Sequence, residues 1–586
     1  MQIGILNNAE GSSDMKKRFF IILLATVLSG CMLTACSGNS GSSQQDAASV
    51  ESSASFEPVD AMRFTKGLVS VTEQGFLTSS SLLTLSAPDG AAIYYTTDGS
   101  EPDTSAMQYT EPIPFQGLVG NFPNSIVLKA RAYFEDGSVS EVGTRTFFCA
   151  SDVKNRYKHV IFSITGDPKQ LTEGPDGILF GDNVELRGKE SERKVYVEAI
   201  NRDGSVIFEQ YAGARVYGAA SRFSAIKSLK LFARKEYDPD HGQFDIDVFG
   251  TTGADGAVIP EYDKLVLRNY GNDFQFAFVR DELNQRLAAK AGYTDCEAVV
   301  PALVYLNGAY YGLMYLHETY CDDLFKDKYG AGNGKYEVLE GKDGKMNVEE
   351  EDAEMAAIAT TYNTHYEEFS KADLLDDTIY AQLCAFMDVE NYLQNFAFNI
   401  YVNNNDWPQN NFKCYRYFAA EGESLGTAEA RQDGRWRYLY HDIDFCFSIY
   451  EMEETGASYN NLAQILDADS DRYSPLFAKL MERPDCRDFF LAEMQRLMNG
   501  ALSADSIIET LDHMTTERFF EMRYYFEYLE NLKKKNSDIW IWYEEYQRRT
   551  DNIRAFAQQR AAYMEQFLKE AFAESAAQTE LPDTAS

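Results

Sequence analysis

The sequence predicts an α+β protein in which a small all-β sandwich precedes a larger domain of strands followed by helices. Three observations carry this. Short alternating runs with turn signals fill residues 59–150, longer strand-like runs continue to about Thr319, and apolar residues at helical spacing dominate from Asp373 onward. At 586 residues, 45% of them apolar and 13% aromatic, the chain has room for more than one domain and a sizeable core.

The formal charge of −37 argues against a nucleic-acid or anionic-lipid surface, since either wants a basic face. Nine cysteines without a C-x-x-C pair indicate neither a zinc site nor a disulfide scaffold, and six histidines leave little room for a His-based metal centre.

Residues 1–36 read as a signal peptide. The run from Met15 has a basic start, an apolar stretch from Phe19 and small residues before a cysteine, and Met15 is the preferred start. Leu28-Ser-Gly-Cys31 and Leu33-Thr-Ala-Cys36 both resemble a bacterial lipobox, whose cysteine is acylated after cleavage. Cys36 is preferred because the Ser/Gly/Gln-rich linker 37–58 starts right after it, with Cys31 as the competitor. The expectation is an extracytoplasmic protein held on the bacterial membrane by an N-terminal lipid anchor.

In the sandwich, Ile93-Tyr-Tyr-Thr-Thr-Asp-Gly-Ser-Glu-Pro-Asp103 resembles the chitobiase/β-hexosaminidase C-terminal-type module of secreted bacterial proteins. Tyr94, Tyr95 and Asp98 are candidates for glycan or cell-wall contact, although a structural spacer is the favoured reading.

The large domain, 151–575, opens with strands and a small-residue loop, Gly218-Ala-Ala-Ser-Arg-Phe223, whose Ser221 and Arg222 are candidates to approach phosphates. Lys227 or Lys230 on the following strand can pair with them. The two point to opposite faces, and Lys227 is preferred, leaving Lys230 solvated. An amphipathic helix over Phe276–Ala291 carries Arg280, Asp281 and Glu282, charges that read as solvated, with a helical acid as the rival candidate to pair with the nucleotide Lys. Asn307-Gly308 marks a hairpin whose second strand ends at Glu318, at a hinge and on the nucleotide side. The run Glu349 to Asp352 reads as a solvated acidic face, and 576–586 as a disordered tail.

The segment Asn395 to Phe447 carries the chemistry. An apolar helical run breaks into an Asn-rich loop holding Asp406 and Asn411, and an alternating strand, Trp436 to Tyr440, delivers His441-Asp442-Ile443-Asp444. One carboxylate to orient a hydroxyl, with an amide and a second carboxylate to hold Mg²⁺, is what phosphoryl transfer requires. The Asp406-to-Asn411 spacing equals that of the protein-kinase catalytic loop, although no His-Arg precedes Asp406 and Cys446 stands where Gly follows the aromatic.

Together with Arg215 to Phe223, Lys227-Ser-Leu-Lys230, Leu267-Arg-Asn269, Gly271-Asn-Asp273, Arg280-Asp281, Tyr305 to Leu313 and Tyr415-Arg416, this order of motifs resembles the CotH family of spore-coat-type kinases. The resemblance implies a two-lobed atypical protein-kinase-like domain that transfers the γ-phosphate of ATP to Ser/Thr hydroxyls on a protein acceptor. It carries over Asp406 as the catalytic Asp, Asn411, Asp442 and Asp444 as Mg²⁺ ligands, and Lys227 as the nucleotide Lys. Ala219-Ala220 stand where the family often has Gly-Asn, and Trp407-Pro408 where kinases place a phosphate-binding Lys, so Lys413 or Arg416 supplies that charge. The alternative is a surface-tethered adhesion or carbohydrate-interaction protein with an idle kinase-like domain. A Mg²⁺-dependent hydrolase using His441, Asp442 and Asp444 is a third.

Overall fold

The computed structural model describes residues 56–117, 123–348 and 352–576. The signal peptide with Cys31 and Cys36, the linker to residue 55, residues 349–351 and the tail from 577 lie outside them.

Alternation in the first region builds two sheets. Leu68–Val71, Glu57–Thr65, Ser81–Ser86 and Ile113–Phe115 form one; Phe76–Leu77, Gly143–Cys149, Asn124–Tyr133, Ala92–Thr96 and Met107–Gln108 form the other. Their facing side chains, among them Leu83, Leu85, Leu128, Ala130 and Phe147, make one core.

The second sheet turns its outer face onto a closed seven-stranded barrel. Val160–Thr165, Arg193–Ile200, Val206–Tyr217, Ser228–Phe232, Lys264–Arg268, Ala309–His317 and Val299–Leu306 follow one another around it. The last pairs parallel with the first and closes the ring. The hairpin turn falls where expected: Asn307 and Gly308 both take positive φ, 47° and 78°. A Cβ on Gly308 would lie 2.9 Å from the backbone nitrogen of Val127 in the sandwich, so the turn tip demands glycine on two counts.

A free spacer would not share a core with its neighbour, and this sandwich does. Phe76 and Phe148 belong to the barrel's hydrophobic cluster, with Phe148 edge-on to Tyr305 at 4.9 Å. The fully buried Arg145 and Glu198 pair at 3.0 Å across the boundary, and Thr146 donates to Glu198 through its backbone N–H. The predicted sugar contacts are largely committed. Asp98 accepts from Ser100 N and Oγ at 3.0 and 2.6 Å, Tyr94 packs edge-on to Tyr133 at 5.4 Å, and Tyr95 lies against the sandwich core. Replacing Arg145 by Met strands a buried carboxylate, and we expect a loss of about 3–5 kcal/mol in denaturant unfolding that Arg145→Met/Glu198→Gln largely restores.

The remainder is mostly helical. Val389–Val402 runs through the middle of the largest core and is buried along nearly its whole length. A small sheet, Lys345–Met346, Lys335–Lys342, Phe412–Phe418 and Arg437–Tyr438, flanks it. Three expectations change here. Asp352 is the N-cap of Ala353–Lys371, accepting from the N–H groups of Glu354 and Met355, rather than only part of a solvated acidic run. The expected strand over Trp436–Tyr440 shrinks to Arg437–Tyr438. The helix foreseen over Phe276–Ala291 spans Arg280–Lys290, and its charged residues Arg280, Asp281 and Glu282 are buried, each with a partner from a distant part of the chain. Among the described residues no helix is long and apolar enough to cross a membrane.

Candidate active site

Val389–Val402 ends because Asn403 takes the left-handed conformation (φ 55°), which an asparagine tolerates, and the Asn-rich loop begins there. Two buried guanidiniums fix the loop. Arg560, from the last helix, Tyr543–Ala576, donates to the carbonyls of Ile400, Tyr401, Ala457 and Tyr459 and to Asn461 Oδ1, all at 2.7–2.8 Å. Arg472 donates to the carbonyls of Asn404 and Trp407 at 2.7 Å each and to Asn405 Oδ1 at 2.8 Å. Neither pairs with a carboxylate, and burial pushes them down to about 9 and about 10. Sequence reasoning missed both, because their partners are backbone carbonyls, which leave no mark in composition.

Asp406 accepts from Asn410 Nδ2 at 2.8 Å and from Asn411 Nδ2 at 2.9 Å. The amide nitrogen of Asn411 thus faces the carboxylate, and its carbonyl oxygen is the atom left to meet a cation. Burial raises the Asp406 carboxyl, the Asn410 hydrogen bond offsets part of that, and the charge of Asp442 raises it further. Asp406 therefore feels the charge of Asp442.

Asp442 and Asp444 converge on Arg268, at the end of Lys264–Arg268. The guanidinium pairs with Asp442, with Asp444 Oδ2 at 2.9 Å and with Asp281 Oδ2 at 2.6 Å. Asp444 also accepts from Asn272 through its backbone N–H and its side chain, both at 2.9 Å. This approach depends on glycine: Gly271 has φ 58°, and a Cβ there would lie 2.2 Å from Asp444 Oδ2. Burial would raise the Asp442 carboxyl, but Arg268, His441 and Lys413 hold it below the usual carboxylate range. Burial and the Asp442 charge push Asp444 well above it.

Among the described residues no three His, Cys, Asp or Glu side chains form a metal cage. The donor chemistry nonetheless fits Mg²⁺, which takes one or two carboxylates and keeps waters and phosphates for the rest. Three carboxyl groups share the single guanidinium of Arg268, so acidic groups outnumber the cation there. The Asp442 side chain is 30% exposed and able to present an oxygen. Asp444 is a correction: fully buried, its oxygens are taken by Arg268 and Asn272, so it supports the site rather than facing a cation.

The expected nucleotide side needs further corrections. Lys227 Nζ donates to the carbonyls of Arg222 and Ser224 at 2.9 and 3.1 Å. Arg222 donates to the carbonyls of Gly218, Val184 and Leu186 at 2.6–3.0 Å. Both cations staple the loop, because the turn leaves carbonyls there that nothing else satisfies. Ser221 stays in that loop, its carbonyl accepting from Ser224 N at 3.0 Å, and its hydroxyl sits where a Gly218 Cβ would clash. Glu318 is 1% exposed and accepts from Thr251, from Tyr262 OH at 3.2 Å and from Ala298 N at 3.0 Å, so it anchors the barrel.

Lys230 is the cation that remains. Leu229 and Leu231 enter the barrel core, which puts Lys230 on its outer face, over the rings of Tyr217 and Phe232 at 5.6 and 5.8 Å. Burial and the charges of Lys264 and Lys413 push it down to about 8. Lys413, on Phe412–Phe418, reaches Glu340 at 2.7 Å and His441 Nε2 at 3.0 Å, whereas Arg416 stacks on Phe418 at 4.9 Å. Of the two candidates for the phosphate charge, Lys413 therefore lies beside His441, and Arg416 packs on an aromatic ring instead. Alternation in SLKLF and KLVLR already puts Lys230, Lys264 and Arg268 opposite the leucines, and that was the available signal. Two concavities, of about 390 and 500 Å³, are lined by other residues and include neither Asp406, Asp442 nor Lys230.

Residues 214–564, more than half of the chain, match the family model described as CotH kinase protein, and residues 83–147 match the one described as Fn3 associated. No curated protein matches the chain.

Proposed function

Because the chain belongs to the CotH kinase protein family, we propose that it is an extracytoplasmic, Mg²⁺- and ATP-dependent protein kinase that moves the γ-phosphate to Ser/Thr hydroxyls of a protein acceptor. The observation that carries this is the grouping of Asp406, Asn411 and Asp442: Asn411 donates to Asp406, Asp406 feels the charge of Asp442, and Lys230 feels the charge of Lys413. Barrel and helical region form the two lobes of this reading. Asp406 accepts the hydroxyl's hydrogen and orients its oxygen, while Lys230 and Lys413 meet the phosphates. Asp442 and Asn411 would hold Mg²⁺, which would supply charge neutralisation on the phosphates. The signal peptide, the lipid on Cys36 and the chitobiase-like character of the sandwich belong to the same proposal.

Transfer of labelled phosphate from ATP to a mixed panel of Ser/Thr peptides, with and without Mg²⁺, tests the reaction. The alternative, a surface-tethered adhesion or glycan-interaction protein with an idle domain, draws on the commitment of Lys227, Arg222 and Glu318 to structural bonds. Thermal-shift titration with Mg²⁺-ATP against a glycan panel separates the two.

Lys230 gives a pH signature. A lysine brought down to about 8 is partly neutral at mildly alkaline pH, and phosphate charge raises it again. Mg²⁺-ATP binding at pH about 8–9 should therefore take up protons, read by calorimetry in buffers of different ionisation enthalpy. Lys230→Met should abolish the uptake and weaken binding about tenfold or more, whereas Lys227→Met should chiefly lower thermal stability. Equal proton uptake in wild type and Lys230→Met would remove Lys230 from the site.

A further inference from the structure

Just past the Asp442–Asp444 pair the backbone is strained. Phe447, Ser448, Tyr450 and Glu451 all take positive φ, between 48° and 61°, which bulky side chains rarely adopt and which persists only where surroundings impose it. The near end of the segment is gripped from inside. Buried Arg280 donates to the carbonyls of Cys446 and Phe447 at 2.9 and 3.2 Å, and Thr455 Oγ1 donates to the carbonyl of Ile449 at 2.6 Å. Beyond Ile449 the grip passes to the surface. Glu451 pairs with Arg548, sits 3.2 Å from Arg549 and accepts from Asn552 Nδ2 at 2.7 Å, all three on Tyr543–Ala576.

Between these holds stands Tyr450. Its ring lies edge-on to Phe276 at 4.7 Å and to Phe445 at 5.2 Å, and its hydroxyl faces the carbonyl of Asn272 at 3.5 Å. Asn272 is the residue that clamps Asp444. Burial, followed by the charges of Asp444 and Asp273 and, more weakly, Asp406, raises the Tyr450 hydroxyl to about 12. The last helix thus reaches both sides of the site, holding the loop that leads to Asp406 through Arg560 and this segment through Arg548 and Arg549.

We infer that Glu451 is a latch whose ion pairs to Arg548 and Arg549 hold the strained Phe447–Glu451 segment, so that Tyr450 stays packed beside the Asp444 clamp as a positioning residue. The latch is partly exposed, with Glu451 38% and Arg548 48% open to solvent, and exposed pairs are weak and screened by salt. Set against strained backbone, it is poised to release. Its effect on catalysis rests on the kinase reading; its effect on the segment does not.

Hydrogen exchange of the full chain, resolved by peptide, tests it. In Glu451→Gln, peptides covering 445–456 should exchange on the order of tenfold faster while Tyr543–Ala576 exchanges as in wild type. High salt should speed the same peptides in wild type and add little in the variant. Glu451→Asp should recover part of the protection. With Mg²⁺-ATP and an accepted peptide, kcat should fall about tenfold with KM for ATP little changed. Unchanged exchange over 445–456, or a speed-up spread along the last helix, overturns the latch. If wild type transfers no phosphate the kinase reading fails, and the exchange pattern alone still decides this proposal.

Discussion

Asp406→Asn should lower phosphate transfer by about 10²–10⁴-fold while leaving Mg²⁺-ATP affinity nearly unchanged. That corresponds to about 2.7–5.5 kcal/mol of transition-state stabilisation, the range of one positioned general base. The variant is nearly isosteric but keeps one acceptor where Asp406 has two. Asn410 and Asn411 both donate to Asp406, so one of the two donations must turn away or meet an amide N–H. A stability loss of about 1 kcal/mol is expected from that mismatch, far below the catalytic effect, and thermal denaturation beside the assay separates the two. The pH profile adds a second check. Burial and the Asp442 charge raise the Asp406 carboxyl, so its ionised, hydrogen-accepting form is lost on acidification earlier than for an exposed aspartate. The acid limb of wild-type kcat/KM should accordingly lie above the usual aspartate range. Full phosphate transfer by Asp406→Asn would sink the assignment.

What the sequence disclosed follows from how local each signal is. The Asp406-to-Asn411 spacing lies within one loop, and Asn307-Gly308 is a two-residue turn, so both are written in neighbouring residues. The sandwich is legible because period-two alternation needs only one strand at a time. Lys227 and Lys230 mark the boundary. Alternation assigns them to opposite faces, but which face meets the cleft depends on how the barrel closes, through pairing of Val160–Thr165 with Val299–Leu306. Arg280, Asp281 and Glu282 resemble a solvated helix face until their partners are known. Those are the carbonyls of Cys446 and Phe447, the Ile443 N–H and Arg518, all distant in sequence. The docking of the sandwich rests on Arg145 and Glu198, two charges whose burial no local pattern announces. Long-range pairing of charged groups is thus the part of this fold that composition and periodicity hide.

Asp442→Ala should reduce Mg²⁺-ATP affinity by about 10–100-fold and cost little stability, and the dissociation between the two is the informative result. Were Asp442 a purely structural partner of Arg268, its loss would strand a buried guanidinium and cost about 3–5 kcal/mol. Arg268 is not stranded, because Asp281 at 2.6 Å and Asp444 at 2.9 Å remain to pair with it. Removal of Asp442 also lifts the charge that, after burial, does most to push Asp444 up, so Asp444 ionises more readily against Arg268. The cluster then carries two carboxylates on one guanidinium instead of three. What disappears is the partly exposed carboxylate able to face a cation. Calorimetric titration of ATP with and without Mg²⁺ should show the wild-type advantage of the metal shrinking in the variant, alongside a denaturation midpoint close to wild type. A variant that binds Mg²⁺-ATP as wild type but unfolds several kcal/mol more easily would make Asp442 a partner of Arg268 and nothing more, and the acidic cluster would lose its claim to a metal.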